Sequence, residues 1–288
     1  MPLPHHWLAI LGLLIMSSAS ANEPRSGIVI APTLFDSTPD EIRAQAGLAD
    51  LVQEATGRSV SVATHNDYQH IMQGFIDNEI DLTILGPLPA VRLLQAAPET
   101  RPLVRFLEPN GSRFFRCSLI GFHEDLPPVA DPDKPLQLAL TQPLSTCGYF
   151  AASNTFEKLG LDIDAAQYDF LNRHDAIAIS VVVGRHDLGV VREEIAKRFT
   201  NLGIEIIANT IDLPGFTLLA NSQTLTDEDI QALKAAFLEL DKQTLAEKTH
   251  WPRHLRHGVR PAQQSDYDEI QAIFQQTDFP EALIEIVQ

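Results

Sequence analysis

Short apolar runs alternate with helically spaced apolar positions along most of the chain. Residues 28–31 read as a strand closed by Pro32. Residues 39–56 carry Ile42, Ala46, Ala49 and Val52 at helical spacing and stop at Gly57. Residues 59–63 alternate as a strand does, and a helix capped by Asn66 or Asp67 follows as far as Gly74. Strand 80–85 leads through Gly86-Pro87 into helix 88–96, and residues 103–107 form a further strand. Strand 114–122 comes after the turn Pro109-Asn-Gly-Ser112, and a proline-rich stretch fills 126–135. A second set follows: strand 136–140, helix 146–159, strand 167–171, helix 174–183, strand 187–191, helix 192–200 and strand 203–208. After Pro214-Gly215, strand 216–220 echoes strand 118–122. The tail adds helix 226–246, with Leu233, Phe237 and Leu240 on one face, and helix 264–276.

This alternation predicts an α/β protein built on mostly parallel sheets with helices on both faces. Two extended crossings around a middle α/β unit predict two lobes joined by a double-strand hinge. Residues 25–115 and 215–288 would form a discontinuous first lobe, and 116–214 the second. Ligands of such sheets sit beyond the carboxyl ends of strands. In the first lobe that places the loops 32–36, 65–68 and 86–89 at a site.

The amino-terminal residues fit none of this. Trp7 to Met16 is a short apolar run, and Ser18-Ala-Ser-Ala21 offers small residues in an A-x-A arrangement. Residues 1–21 are therefore expected to be a secretory signal peptide, and the mature chain a soluble, periplasmic protein. The formal net charge is −17, which argues against nucleic acid as a partner and against long-range attraction of an anion. Any anion must be held by local donors. Cys117 and Cys147 are the two cysteines of the chain. In an oxidising compartment they can pair, or stay as two thiols.

The strand 136–140 runs into Pro143-Leu-Ser-Thr-Cys-Gly-Tyr149, where a helix begins with Ser145 or Thr146 as its cap. The first N–H groups of a helix lack intrahelical acceptors, and the helix dipole adds partial positive charge. Two hydroxyls beside such donors suit a tetrahedral oxyanion, as well as ordinary capping.

Several ordered motifs resemble the phosphonate-type periplasmic substrate-binding proteins of ABC transporters. They are Asn66-Asp67-Tyr68, Asp81-Leu-Thr-Ile-Leu-Gly86-Pro87, Phe114-Phe-Arg116 and the 143–149 loop. His174-Asp175-Ala176, Gly184-Arg-His-Asp187-Leu-Gly-Val190 and Pro214-Gly215 complete the set. The resemblance implies a type II binding-protein fold that closes on its ligand without transforming it. It implies that Ser145, Thr146 and the N–H groups after them, through Cys147, hold an oxyanion of the phosphonate, phosphite or phosphate class. Tyr68 would donate from the first lobe, and His174 from the second, with Asp175 fixing its tautomer. Asp187, or Glu193 in its place, would accept from an ammonium or an acid proton of the ligand. The implied partner is an ABC permease, with the protein acting as a monomer and using neither metal nor cofactor.

Two departures bear on the ligand. Phe115 stands where the family often has a phenol, and Cys117 where it often has Ser; Pro89 stands near a position that is often aromatic. With Cys147 close by in sequence to the anion loop, two thiols at one site would suit a thiophilic ligand, as in an exported arsenite-binding branch that signals to a histidine kinase. An enzyme would need Cys117 or Cys147 activated by His174. His250, His254 and His257 lie at helical spacing, but Pro252 and three arginines interrupt them as a metal patch.

Overall fold

The computed structural model describes residues 26–33, 43–65, 67–123, 134–240 and 251–284. The expected signal peptide, Asn66, most of the proline-rich stretch and His250 lie outside the described residues.

In chain order the strands are β1 (Gly27–Pro32), β2 (Ser59–Val62), β3 (Leu82–Leu85), β4 (Thr100–Phe106), β5 (Phe114–Phe115), β6 (Cys117–Phe122) and β7 (Gln137–Leu140). They continue with β8 (Gln167–Phe170), β9 (Leu188–Arg192), β10 (Ile204–Asn209), β11 (Leu213–Pro214), β12 (Thr217–Asn221) and β13 (Val259–Pro261). The helices that matter below are α1 (Ala46–Thr56), α2 (Tyr68–Ile76), α3 (Pro87–Ala96), α4 (Ala151–Leu159), α5 (His174–Val182), α6 (Glu193–Arg198), α7 (Asp227–Leu238) and α8 (Asp268–Gln276).

All the strands but β5 and β11 form two sheets, ordered β13-β4-β12-β3-β1-β2 and β10-β6-β9-β7-β8. Both are mixed rather than mostly parallel. β1 runs parallel to β2 and β3, but β12 is antiparallel to β3 and β4, and β13 to β4. In the second sheet β7 is parallel to β8 and β9, while β6 is antiparallel to β9 and β10. The reason lies in the crossings. β6 and β12 enter their sheets directly from the other half of the molecule, with no crossover helix to return the chain in the parallel sense.

Those crossings form a separate two-stranded ribbon, Phe115 opposite Leu213 and Phe114 opposite Pro214. The strand expected over 114–122 therefore breaks at Arg116. Gly215 follows the ribbon, and a Cβ there would lie 2.2 Å from the Phe106 carbonyl oxygen, so no other residue fits the close approach.

One core packs α1 and α7 on the first sheet, with Leu48, Val52, Leu233 and Phe237 buried. A second packs α5 and α6 on the other sheet through Ile177, Val181 and Ala196. The third is continuous across the molecule. It joins α2 and α3 to β6, β7, α4 and the tail, through Phe75, Leu88, Leu138, Phe156 and Phe279.

The two halves share one local device. Asp81, just before β3, accepts from Val29 N–H at 2.6 Å, and its own N–H donates to the Val29 carbonyl. Asp187, just before β9, accepts from Gln137 N–H at 2.8 Å and donates to the Gln137 carbonyl. Each carboxylate closes the start of a parallel pair. Asp187 is thus a register-setting residue at the amino end of β9, not a ligand group at its carboxyl end.

Candidate functional site

The carboxyl ends of β1, β7, β8 and β9 converge on a pocket of about 30 Å³. Since about 10–15 Å³ holds one water, the pocket suits a compact guest. Thr33, Tyr68 and Phe216 line it from one side; Thr141, Ser145, Thr146, Cys147, Asn172, His174 and Arg192 line it from the other. Phe115, at the ribbon, completes the wall together with Gln142.

Ser145 begins the helix with extended backbone and makes no capping bond with its side chain. Its hydroxyl instead meets the buried Tyr68 hydroxyl, which also contacts Thr33. The first helical residues, Thr146–Phe150, form a π-type turn kinked at Cys147 and Gly148. A Cβ on Gly148 would sit 2.4 Å from the Gln142 carbonyl oxygen, so glycine is what lets the loop fold back so tightly. The Thr146 hydroxyl accepts from the Leu88 N–H of α3 at 3.1 Å. Thr141 lies 2% exposed, and its hydroxyl has no hydrogen-bond partner. That hydroxyl is free to bond a water or a guest in the pocket.

Burial pushes the Tyr68 phenol up to about 12, so it stays protonated and donates. His174, at the start of α5, is pushed down to about 3 by burial and by the neighbouring Arg192 charge. The backbone N–H of Arg192 donates to His174 Nδ1 at 3.3 Å. That bond leaves the ring proton on Nε2, so a neutral His174 is a fixed donor. Asp175 does not set this tautomer. It pairs with Arg173 at 2.6 Å and accepts from Ala176 N–H at 2.8 Å, away from the pocket lining. Glu193 is likewise engaged, with Arg116 at 3.2 Å and Lys197 at 2.9 Å.

Cys117 and Cys147 are joined as a disulfide, their Cα atoms 5.4 Å apart. Neither sulfur is a thiol, so while the disulfide is intact neither cysteine can bind arsenite or act as a nucleophile. Cys147 still lines the pocket, Cys117 does not, and Phe115 does so as the platform for Arg192.

Sequence reasoning missed Arg192, Thr141, Asn172 and Phe216. All but Phe216 sit at or directly after the carboxyl end of a strand. Thr33 falls in the loop 32–36 that the sequence placed at the site, and the same rule extended to the second lobe points to Thr141, Asn172 and Arg192. Asn172 adds a backbone signal: its φ of 64 is a left-handed conformation that asparagine tolerates.

His254 packs edge-on against Phe216, ring centres 5.8 Å apart, and is also pushed down to about 3 by burial and by Arg192. Among the described residues no cluster of His, Cys, Asp or Glu could hold a metal. Both histidines have folded values below the ordinary value of about 6.5, so the unfolded chain binds more protons between pH 3 and 6.5. Their stabilising share is complete above about pH 6.5 and is lost as pH falls toward 3, about 2 kcal/mol per histidine by pH 5. We expect His254→Gln to make the fall in unfolding free energy between pH 7 and 5 shallower by up to that amount in urea titrations. Equal slopes would show that His254 charges freely in the folded protein.

The profile of a family described as ABC transporter, phosphonate, periplasmic substrate-binding protein matches residues 30–267. Solved structures agree in fold. A binding protein component of an ABC phosphonate transporter from Pseudomonas aeruginosa superposes with a TM-score of 0.70 at 18% identity, covering 88% of this chain and 87% of that one. PhnD1 from Prochlorococcus marinus, in complex with methylphosphonate, gives 0.70 at 16%, covering 87% and 98%. The alkanesulfonate-binding protein SsuA from Xanthomonas axonopodis pv. citri, bound to MOPS, gives 0.58 at 15%, covering 92% and 96%.

Proposed function

The chain belongs to the family of periplasmic substrate-binding proteins of phosphonate ABC transporters, and on that premise we propose that it captures a small phosphonate-class oxyanion in the pocket between its two sheets. The observation that carries the reading is the convergence of neutral donors from both sides: Tyr68 from one, Ser145, Thr146 and His174 from the other. Among the described residues, no carboxylate lines the pocket.

In this reading residues 25–115 with 215–288, and 116–214, move as two lobes about the β5–β11 ribbon. Ligand binding favours the closed arrangement because donors on both sides then reach one anion. Residues 1–21 direct export to the periplasm and are removed there. The closed protein, as a monomer, delivers its guest to an ABC permease and does not transform it. With both sulfurs in a disulfide, neither cysteine is available as a nucleophile, and in this reading His174 works as a donor rather than a base.

A ligand that binds only the folded state raises the melting temperature. At a hundred times its dissociation constant it adds about 2.7 kcal/mol, or roughly 5–10 °C for a chain of this size. We expect such a rise with methylphosphonate, and a smaller one or none with sulfate. A melting temperature unmoved by methylphosphonate, phosphite and phosphate alike would refute the reading.

A further inference from the structure

We infer that Arg192 sets the specificity of the site, admitting compact anions and rejecting ligands that also carry an ammonium group. The inference rests on the function proposed above and narrows it to a ligand class. Arg192 ends β9, is buried, and lines the pocket. Its guanidinium lies 4.1 Å from the centre of the Phe115 ring and 5.8 Å from that of Phe216. A guanidinium held against aromatic faces is fixed in plane and shielded from water. Its side chain is 7% exposed and its Nε makes no hydrogen bond; Glu194 Oε1 lies 3.6 Å away.

Arg192 is not left as a lone buried charge. Glu108, itself 12% exposed and outside the pocket lining, accepts from its terminal nitrogen. The acids expected to receive a ligand's ammonium are elsewhere: Asp187 closes the β7–β9 pair, and Glu193 holds Arg116 and Lys197. A zwitterionic phosphonate would therefore bring its ammonium into a small pocket with a fixed cation and no lining acceptor of negative charge. Even with Glu108 balancing Arg192, the ammonium would lose its water and meet no carboxylate of its own in the pocket lining, which disfavours the zwitterion.

The test is calorimetry on the purified chain with methylphosphonate, 2-aminoethylphosphonate, phosphite and sulfate at one pH. Methylphosphonate is expected to bind at least about 100-fold more tightly than 2-aminoethylphosphonate. Arg192→Gln is made together with Glu108→Gln, so that no carboxylate is buried alone, and folding is checked by the thermal melt. This double variant is expected to lose about 10- to 100-fold for methylphosphonate and to shrink the ratio between the two ligands. A purely structural role for Arg192 would weaken both ligands alike and leave the ratio in place, which overturns the inference. Equal affinity of the unaltered protein for the two phosphonates also overturns it. If neither phosphonate binds but phosphite or sulfate does, and the double variant loses it, Arg192 is an anion-holding group only, and both the phosphonate reading and the ammonium selectivity are overturned. If none of the four binds, both fail.

Discussion

Replacing Ser145 and Thr146 together by alanine is expected to weaken methylphosphonate binding by at least about 100-fold in calorimetry. In the proposed complex each hydroxyl would donate to a charged acceptor, a bond worth about 1.5–3 kcal/mol, and two such losses give roughly 3–6 kcal/mol. The geometry adds to this. Ser145 is bonded to Tyr68, and Thr146 to the Leu88 N–H, so both hydroxyls also join the two sides of the cleft. Thr146→Ser keeps the hydroxyl and is expected to recover most of the affinity lost by Thr146→Ala. A double alanine variant within about threefold of the unaltered protein would remove the site from this loop.

The second large effect is expected from Cys117→Ser with Cys147→Ser. The disulfide closes a loop with a sequence separation of 30. On the chain-entropy account, a loop of that length stabilises the fold by about 3–4 kcal/mol. Its loss should lower the melting temperature by roughly 6–16 °C. The cross-link also ties β6 to the turn that starts at Thr146, so affinity should fall along with stability. Both sulfurs are buried, at 0% and 3% exposure, which makes the double variant a cleaner test than adding a reductant to the folded protein. Unchanged melting and unchanged affinity would show that the turn is held by packing alone.

The elements of this fold were legible because each carries a local signal. Val29, Leu82 and Leu188 lie in apolar strand runs, and Gly57 ends α1 in the left-handed conformation its position suggested. Strand direction was not legible. Whether β6 and β12 run parallel or antiparallel to their neighbours depends on where the chain crosses between sheets, and no residue pattern inside either strand records it. The site divides in the same way. Tyr68, Ser145, Thr146 and His174 were found through motifs and lie together in the pocket. Asp187 belonged to a motif too, but its motif spans a whole strand, and the residue sits at the end away from the cleft. Arg192 was passed over because it reads as the first residue of a helix; its burial under Phe115 is a tertiary fact. The disulfide was open in the sequence because pairing depends on distance across 30 positions.

The tail touches both walls. Phe274 in α8 receives the Arg92 guanidinium at 5.0 Å, while Phe279 lies 5.3 Å from Tyr149 in the turn after the anion loop. On the proposed two-lobe motion, separating the walls would disturb this aromatic bridge, and the free energy of opening would include its strength. Substitutions at Phe274 or Phe279, remote from any guest atom, would then act as a tuning dial on capture and release. Changes in this stretch would then adjust the affinity of capture while leaving the proposed recognition groups untouched.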